Sequence, residues 1–460
     1  MQKVGNGILS PGYTAFGVLF FLGILSLHSC RSKTYTFSNT NFAYLYQPAE
    51  VLIKPDFVIQ HISDDSSVMY FRIRKDDFLY ARSPNSQLFE SNIQIRYAVV
   101  PHYELPGQII DSGTIYIKEP KTDTLGFFAG HIPLMLHRKR EVHDFLVAIT
   151  IRDANRNLEY PYFLYADRQS THTSQNYLAI DSVGNIYFEP TARLGDKLCV
   201  RHSTFKDKPL VVKYSNANFS IALPPFSSDH EIIDTEDFKI VGYTDSSTGC
   251  FEFTKTGMYI FQYDIKSMEG YYIMVTNSDY PLVNRRHQLV EPLRYLTTQK
   301  EFSDLQASQP DSIKYLADQF WLARAGSVER ARNLVKAYYG RVQRANELFT
   351  SFKEGWKTDR GMIYIVFGPP NVVYRYAERE VWIYGDDNSA LQYRFTFTRI
   401  RLPFSGFYHV LERNENYRFI WGQAVDAWRN GRIYSIKEIK REQDERDQQL
   451  RFQRYPYFWF

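Results

Sequence analysis

Glu354 to Asn371 reads EGWKTDRGMIYIVFGPPN, and most of the local punctuation of the C-terminal third falls inside it. Gly355 can take the left-handed conformation that ends a helix, Trp356 can cover that end, and Thr358 and Asp359 carry oxygens suited to capping free backbone N–H groups. The preceding helix is therefore predicted to stop at Gly355. Met362 to Phe367 is apolar throughout and too short to span a membrane, so a strand buried on both faces is expected there. Gly368, Pro369 and Pro370 close it, since neither proline can donate a ladder hydrogen bond.

Gly355, Trp356, Lys357, Thr358 and Asp359, followed by Arg360, Gly361 and IVFGPPN, resemble the motif that names the GWxTD-domain family of exported Bacteroidota proteins. The resemblance covers the motif, the hairpin after it and the helical segment before it. It implies an envelope protein and carries over no settled catalytic residues.

Working outward, 460 residues are too many for one core, and about 150 residues per domain suggests three domains. Aromatics make up 16% of the chain, which points to sheet-rich domains with large cores. The formal charge of +4 is small for this length and the basic residues are spread out, so no nucleic-acid partner is expected.

The first thirty residues predict the compartment. Lys3 gives a weak positive start, Ala15 to Leu27 form an apolar core, and Leu27-His28-Ser29-Cys30 sets a cysteine after a small residue. This resembles a bacterial lipoprotein signal over 1–29, departing from the pattern at His28, with Cys30 as the lipidated residue and the membrane as a partner through that anchor. Arg31, Ser32, Lys33 and Thr34 lack the acidic cluster of a surface-export tag, which favours the periplasmic face of the outer membrane over the cell surface. Cys199 and Cys250 sit beside strand-like segments, and in an oxidising compartment a disulfide between them is possible; buried thiols are the alternative.

From residue 30 to 167 short apolar runs alternate with turn signals, and a β-sandwich is expected. Strands are predicted over Val51–Ile53, Phe57–Gln60, Val68–Ile73, Ile93–Val99, Thr114–Ile117 and Phe145–Ile151. Arg168 to Asn176 reads as a polar linker. A second sandwich-like block spans 168–285, with strands at Ile186–Phe188, Leu210–Tyr214, Phe238–Tyr243, and a hairpin of Phe251–Thr254 with Met258–Tyr263 about Gly257. Residues 286–460 read as a helical segment followed by an α+β domain: apolar residues recur at helical spacing from Ile313 to Tyr338 with a break at Ala325-Gly326, and strands Val381–Tyr384 and Leu391–Phe397 flank a hairpin turn. The fold class is thus multidomain, β-rich with α+β.

Four groups of residues carry candidate chemistry. Tyr384-Gly385-Asp386-Asp387 resembles a metal-binding polymerase turn, but no companion aspartate motif accompanies it and a solvated turn has the same composition. His131, His137 and His143 would share a face of one strand, but Pro133 and a charged cluster argue against a continuous strand, hence against a zinc site. Asp359 and Arg360 beside Trp356 could form a pocket with Glu354 as a general acid, yet all these residues also have ordinary capping or ion-pairing roles. No nucleophile motif or phosphate-binding loop is present, so neither catalysis nor a cofactor is expected. Beyond the helix-compatible stretch Ile436–Phe452, Tyr455, Tyr457, Phe458, Trp459 and Phe460 form an aromatic cluster suited either to folding back or to contacting a partner.

The function expected on these grounds is an outer-membrane-anchored, non-catalytic accessory or scaffold subunit of an envelope assembly such as barrel-assembly or secretion machinery, with other outer-membrane subunits as partners. The alternatives are a glycan-binding lipoprotein, marked by aromatics lining a groove in one sandwich, and a peptidoglycan or peptide hydrolase, marked by a concave site joining Asp359 or Glu354 to a histidine.

Overall fold

The structure is a computed structural model describing residues 40–47, 51–82, 88–101, 109–122, 126–135, 144–205, 208–216, 219–229, 238–309, 311–385, 392–402, 406–435 and 441. Cys30, His137, His143, Asp386, Asp387 and Tyr455 to Phe460 lie outside these residues. The described residues belong to one compact unit.

The first module holds β1 (Asp56–His61), β2 (Ser66–Arg74), β3 (Ala81–Arg82), β4 (Phe89–Val100), β5 (Asp111–Pro120), β6 (Phe127–Met135), β7 (Asp144–Asp153) and β8 (Leu158–Asp167). One sheet runs β1-β2-β6; the other runs β3-β4-β7-β8, with β5 also paired to β4. Strand alternation decides which residues face inward. In β2, Met69, Phe71 and Ile73 are buried against Ile95, Val147 and Ile149, while Val68, Tyr70 and Arg72 point outward. Val51–Ile53 is not a strand, although Ile53 is buried. Pro133 does lie within β6, because β6 is an edge strand and an edge tolerates a missing donor.

The second module contains β9 (Tyr177–Asp181), β10 (Thr191–Arg193), β11 (Lys197–His202), β12 (Val211–Ser215), β13 (Lys239–Tyr243), β14 (Cys250–Glu252), β15 (Gly257–Gln262) and β16 (Tyr271–Thr276). Sheets β14-β11-β9 and β10-β16-β15-β12-β13 enclose a core of Leu198, Val212, Phe253, Phe261 and Ile273. The expected hairpin about Gly257 does not form: β14 and β15 belong to different sheets, so the chain crosses the sandwich there. Ile186–Phe188 makes only an isolated bridge, Ile186 to Ile180. Cys199 and Cys250 are register partners in β11 and β14, and their sulfurs are bonded across 51 residues of sequence.

Arg168 to Asn176 is no loose linker. Arg168 is buried, and its guanidinium donates to the carbonyls of Ser63, Asp64 and Ser66 and to Ser67 Oγ, pinning the end of the first module to the β1–β2 turn. A polar run in sequence shows composition; only the structure shows that its donors face inward.

The third module contains α1 (Arg286–Val290), α2 (Gln299–Gln306), α3 (Ile313–Ala325), α4 (Val328–Phe349), α5 (Asp359–Phe367) and α6 (Tyr417–Arg429), with the antiparallel meander β17 (Val372–Arg375), β18 (Arg379–Tyr384), β19 (Tyr393–Leu402) and β20 (Gly406–Leu411). Two expectations are corrected here. Met362 to Phe367 is a helix, the body of α5, because Thr358 caps it and Asp359-Arg360-Gly361 supply its first turn. Burial on every side removes the one-faced periodicity that separates helix from strand, so a six-residue apolar run is ambiguous by itself. The preceding helix, α4, ends at Phe349 rather than at Gly355.

Candidate functional site

Gly355 starts a single 3-10 turn, Gly355–Lys357, that packs on α4. A Cβ there would fall 2.0 Å from the Ala345 carbonyl oxygen, and one on Gly361 would fall 2.0 Å from that of Gly355. Both glycines are therefore required by close backbone approach rather than by a left-handed cap. Thr358 Oγ1 accepts from Gly361 N at 3.0 Å and donates to the Gly355 carbonyl at 2.7 Å, closing the turn on itself.

Each remaining motif residue is bonded to another part of the chain. Trp356, buried, donates its backbone N–H to Asn346 Oδ1 at 3.0 Å, accepts from Tyr295 Oη at its carbonyl at 2.8 Å and gives its indole N–H to Glu354 at 3.2 Å. Lys357 pairs with Glu354 at 2.7 Å, and its carbonyl accepts from Ala222 N of the second module. Asp359 accepts from Leu411 N at 2.8 Å and from Arg413 at 2.6 Å. Arg413 reaches on to the Leu223 carbonyl, so the motif holds the 219–227 segment against the C-terminal domain. Arg360 lies over the Phe349 ring and 3.8 Å from Glu380.

Glu380 is the centre of a second buried polar cluster. It accepts from Tyr46 Oη at 2.6 Å, Trp382 Nε1 at 2.7 Å and Arg375 Nε at 2.8 Å. Burial opposes its ionisation, but Arg375 and Arg360, with the Tyr46 hydroxyl, overcome that and hold the carboxyl at about 2. Burial pushes the Tyr46 phenol up to about 12 and drives His409 well below the ordinary histidine value, so both stay neutral at physiological pH. Tyr46 comes from the N-terminal segment. Asn41 Oδ1 accepts from Val373 N, Phe42 N donates to the Val373 carbonyl, and Phe42 packs edge-on to Phe163 of the first module. Residues 41–47 thus wedge between the first and third modules, although sequence reading placed 43–46 in the first sandwich.

Two of the concavities that adjoin this framework bear on candidate chemistry. The larger, about 1060 Å³, lies where the three modules meet, lined by Tyr70, Phe127 and His131 of the first, Tyr187 and Phe188 of the second, and Asn346 of α4. The smaller, about 340 Å³, is lined by Glu354, Lys357, His287 and Tyr280. Glu354 and a histidine therefore share a cavity, while Asp359 faces the opposite way, into Arg413. Nearby Glu291 has its carboxyl raised by burial, against the pull of Lys357. Among the described residues no group of three or more metal-ligating side chains converges, and His131 stands exposed on β6.

Sequence reasoning missed Tyr46, Asn346, Arg375, Glu380 and Arg413. Glu380 alone carried a local signal, a carboxylate directly before the apolar run Val381–Tyr384. The others act through partners far along the chain.

No curated protein matches this chain. Among solved structures, Bacteroides uniformis beta-glucuronidase aligns at 11% identity over 30% of this chain and 16% of that one, with a TM-score of 0.17. A calcium-binding mutant of Bacteroides uniformis beta-glucuronidase 2 aligns at 10% over 31% and 16%, also at 0.17. The chain thus covers 16% of the length of either, and a likeness of that size bears on neither fold nor chemistry. Residues 257–430 match the GWxTD domain, a span that opens at β15 and closes just past α6, and this is a GWxTD-domain-containing protein.

Proposed function

We propose that the protein is a lipid-anchored, non-catalytic accessory or scaffold subunit of an outer-membrane protein assembly, with Cys30 as the anchor. The observation that supports this reading is the use of the motif: Gly355, Trp356, Thr358 and Asp359 are buried and spent on internal bonds, and through the Lys357 carbonyl and Arg413 the motif holds the 219–227 segment of the second module against the C-terminal domain. A body braced in this way presents surfaces at fixed separations, as a scaffold requires. The 41–47 wedge lies close after Cys30 in sequence, so the anchor would be tied to the braced body by a short tether. Extraction of native membranes in mild detergent followed by copurification tests the reading. A stable set of outer-membrane partners is expected; isolation as a monomer overturns it. Membrane association and palmitate incorporation that persist in Cys30→Ala would remove the anchor from the proposal.

The second reading, a peptide or peptidoglycan hydrolase, is favoured by one observation, the shared cavity of Glu354 and His287 beside the raised carboxyl of Glu291. Against it, the Glu354 carboxylate is already engaged by Lys357 and Trp356. Muropeptide release by the wild type that Glu354→Gln abolishes, with unchanged melting temperature, would install this reading in place of the first.

A further inference from the structure

The cleft between the three modules has a chemistry that the scaffold reading does not use. Its floor is the outward face of β2 and β6, where Tyr70 and His131 are register partners with ring centroids 6.3 Å apart. Phe127, 50% exposed, stands at the end of the same face. Arg72 lies over Phe127 at 4.7 Å and over Phe188 at 5.0 Å, joining the rings of two modules into one wall. Its charge is compensated inside the protein by Asp56 and Glu189, each at 2.8 Å. The nearby carboxylates already accept hydrogen bonds within the protein: Asp181 from Val183 N and from Asn185, and Asp196 from Arg193 N. Aromatic rings bordered by polar groups of both charges, Arg72 and Arg193 with Glu189, Asp181 and Asp196, suit a hydroxyl-rich ligand that stacks and hydrogen-bonds better than one of a single charge.

The two strand edges bordering the cleft argue against an extended peptide. Strand addition needs a run of free backbone donors and acceptors. Pro133 interrupts the run on β6. On β10, the Thr191 carbonyl accepts from Tyr187 Oη at 2.8 Å and Arg193 N donates to Asp196. Recognition here must therefore go through side chains, and the side chains offered are ring faces with hydroxyl, amide and imidazole groups beside them.

We propose that this cleft binds a neutral oligosaccharide, with Tyr70 and Phe127 as stacking platforms and His131 as a hydrogen-bonding group. The site is independent of the scaffold reading, since a scaffold needs no glycan and a glycan site needs no partner. The wall contributed by α4 depends on the family motif: Asn346, which lines the cleft, accepts from Trp356 N and donates to the Pro281 carbonyl.

The test uses the full chain in a non-glycosidic detergent, titrated calorimetrically with neutral hexaoses of glucose, mannose, xylose and N-acetylglucosamine. Saturable binding of at least one hexaose is expected, weakened about tenfold by Tyr70→Ala and by Phe127→Ala, the loss of one stacked ring each. Both side chains face outward, so melting temperatures should hold, as they should for His131→Ala at an exposed position on β6. Silence from all four hexaoses overturns the proposal, as does binding that survives all three substitutions. So does binding of an extended peptide pool that the same substitutions abolish while the hexaoses remain silent.

Discussion

Asp359 and Arg413 form an ion pair at 2.6 Å in which the two side chains are 1% and 2% exposed. The carboxylate also accepts the Leu411 N–H, and the guanidinium also donates to the Leu223 carbonyl, so one pair ties α5, β20 and the second module together. Removing one charge leaves the other buried and uncompensated. Asp359→Asn is expected to lower stability by about 3 to 5 kcal/mol, and the double variant Asp359→Asn with Arg413→Met to recover part of that loss. Denaturant unfolding of the four proteins in the cycle measures it. A single variant as stable as wild type would mean that Asp359 is present for something other than bracing.

The same pair shows what sequence could and could not reveal. Thr358 was legible as a cap because capping is local: its oxygen reaches Gly361 N three residues on. Strands with alternating burial, such as Val68–Ile73, were legible for the same reason, and so was the break at Gly326. Asp359 was read as a cap, an ion-pairing residue or part of a pocket, but its partner could not be named, since Arg413 stands 54 residues away. The α5 helix was misread because six apolar residues give no periodicity to read. Arg168 and Tyr46 were missed because a polar residue in a polar stretch carries no mark of burial. Of the larger cleft, β2 contributed a visible mixed face, but the module that closes over it cannot be inferred from β2.

His61 supplies a pH-dependent joint. Its Nε2 faces the Asp167 carbonyl at 2.9 Å, so that nitrogen must donate, and Nδ1 then accepts from Ser67 Oγ at 2.8 Å. Burial, reinforced by the charge of Arg168, lowers its pKa from 6.5 to about 4. The folded state thus prefers neutral histidine: the contribution is complete above pH 6.5 and is lost as pH falls towards 4. The shift corresponds to roughly 2 to 4 kcal/mol. Comparing melting temperature against pH for wild type and His61→Gln should show a steeper fall in the wild type between those values. Parallel curves would mean that His61 does not report protonation to the fold.

The aromatic segment Tyr455–Phe460 belongs to the scaffold proposal. Pro456 interrupts any strand pairing, so the segment is expected to hold a partner by ring burial, each fully buried ring contributing about 1.5 to 3 kcal/mol. Deleting Tyr455 to Phe460 should release the protein from its assembly while leaving fold and anchor intact. Copurification of the same partners at the same yield would show that the segment has no part in the assembly.

Tyr46 is the point at which the N-terminal segment can be tested as a structural lock. Its hydroxyl donates to Glu380 and accepts from Arg375 Nη2 at 2.9 Å, while its backbone carbonyl accepts from Tyr364 Oη at 3.1 Å. Tyr46→Phe keeps the ring against Trp382 and the backbone contact, and removes only the hydroxyl. The expected cost is about 1.5 to 3 kcal/mol, the range for a hydrogen bond to a charged group. The pH dependence has a fixed sign. Glu380 is held down from 4.5 to about 2, so its contribution is complete above pH 4.5 and is lost as pH falls towards 2. Without the Tyr46 donor the carboxyl protonates more readily, and the acid limb of the variant's stability profile should move to higher pH. Limited proteolysis after residue 47 gives the second readout: the variant should release the N-terminal segment sooner than the wild type. If Tyr46→Phe melts like wild type from pH 2.5 to 7 and is cut no faster, the hydroxyl does not hold the segment. The segment would then be held by its other contacts, among them Phe42 against Phe163, Asn41 on the Val373 backbone and Tyr44 on the Pro161 carbonyl.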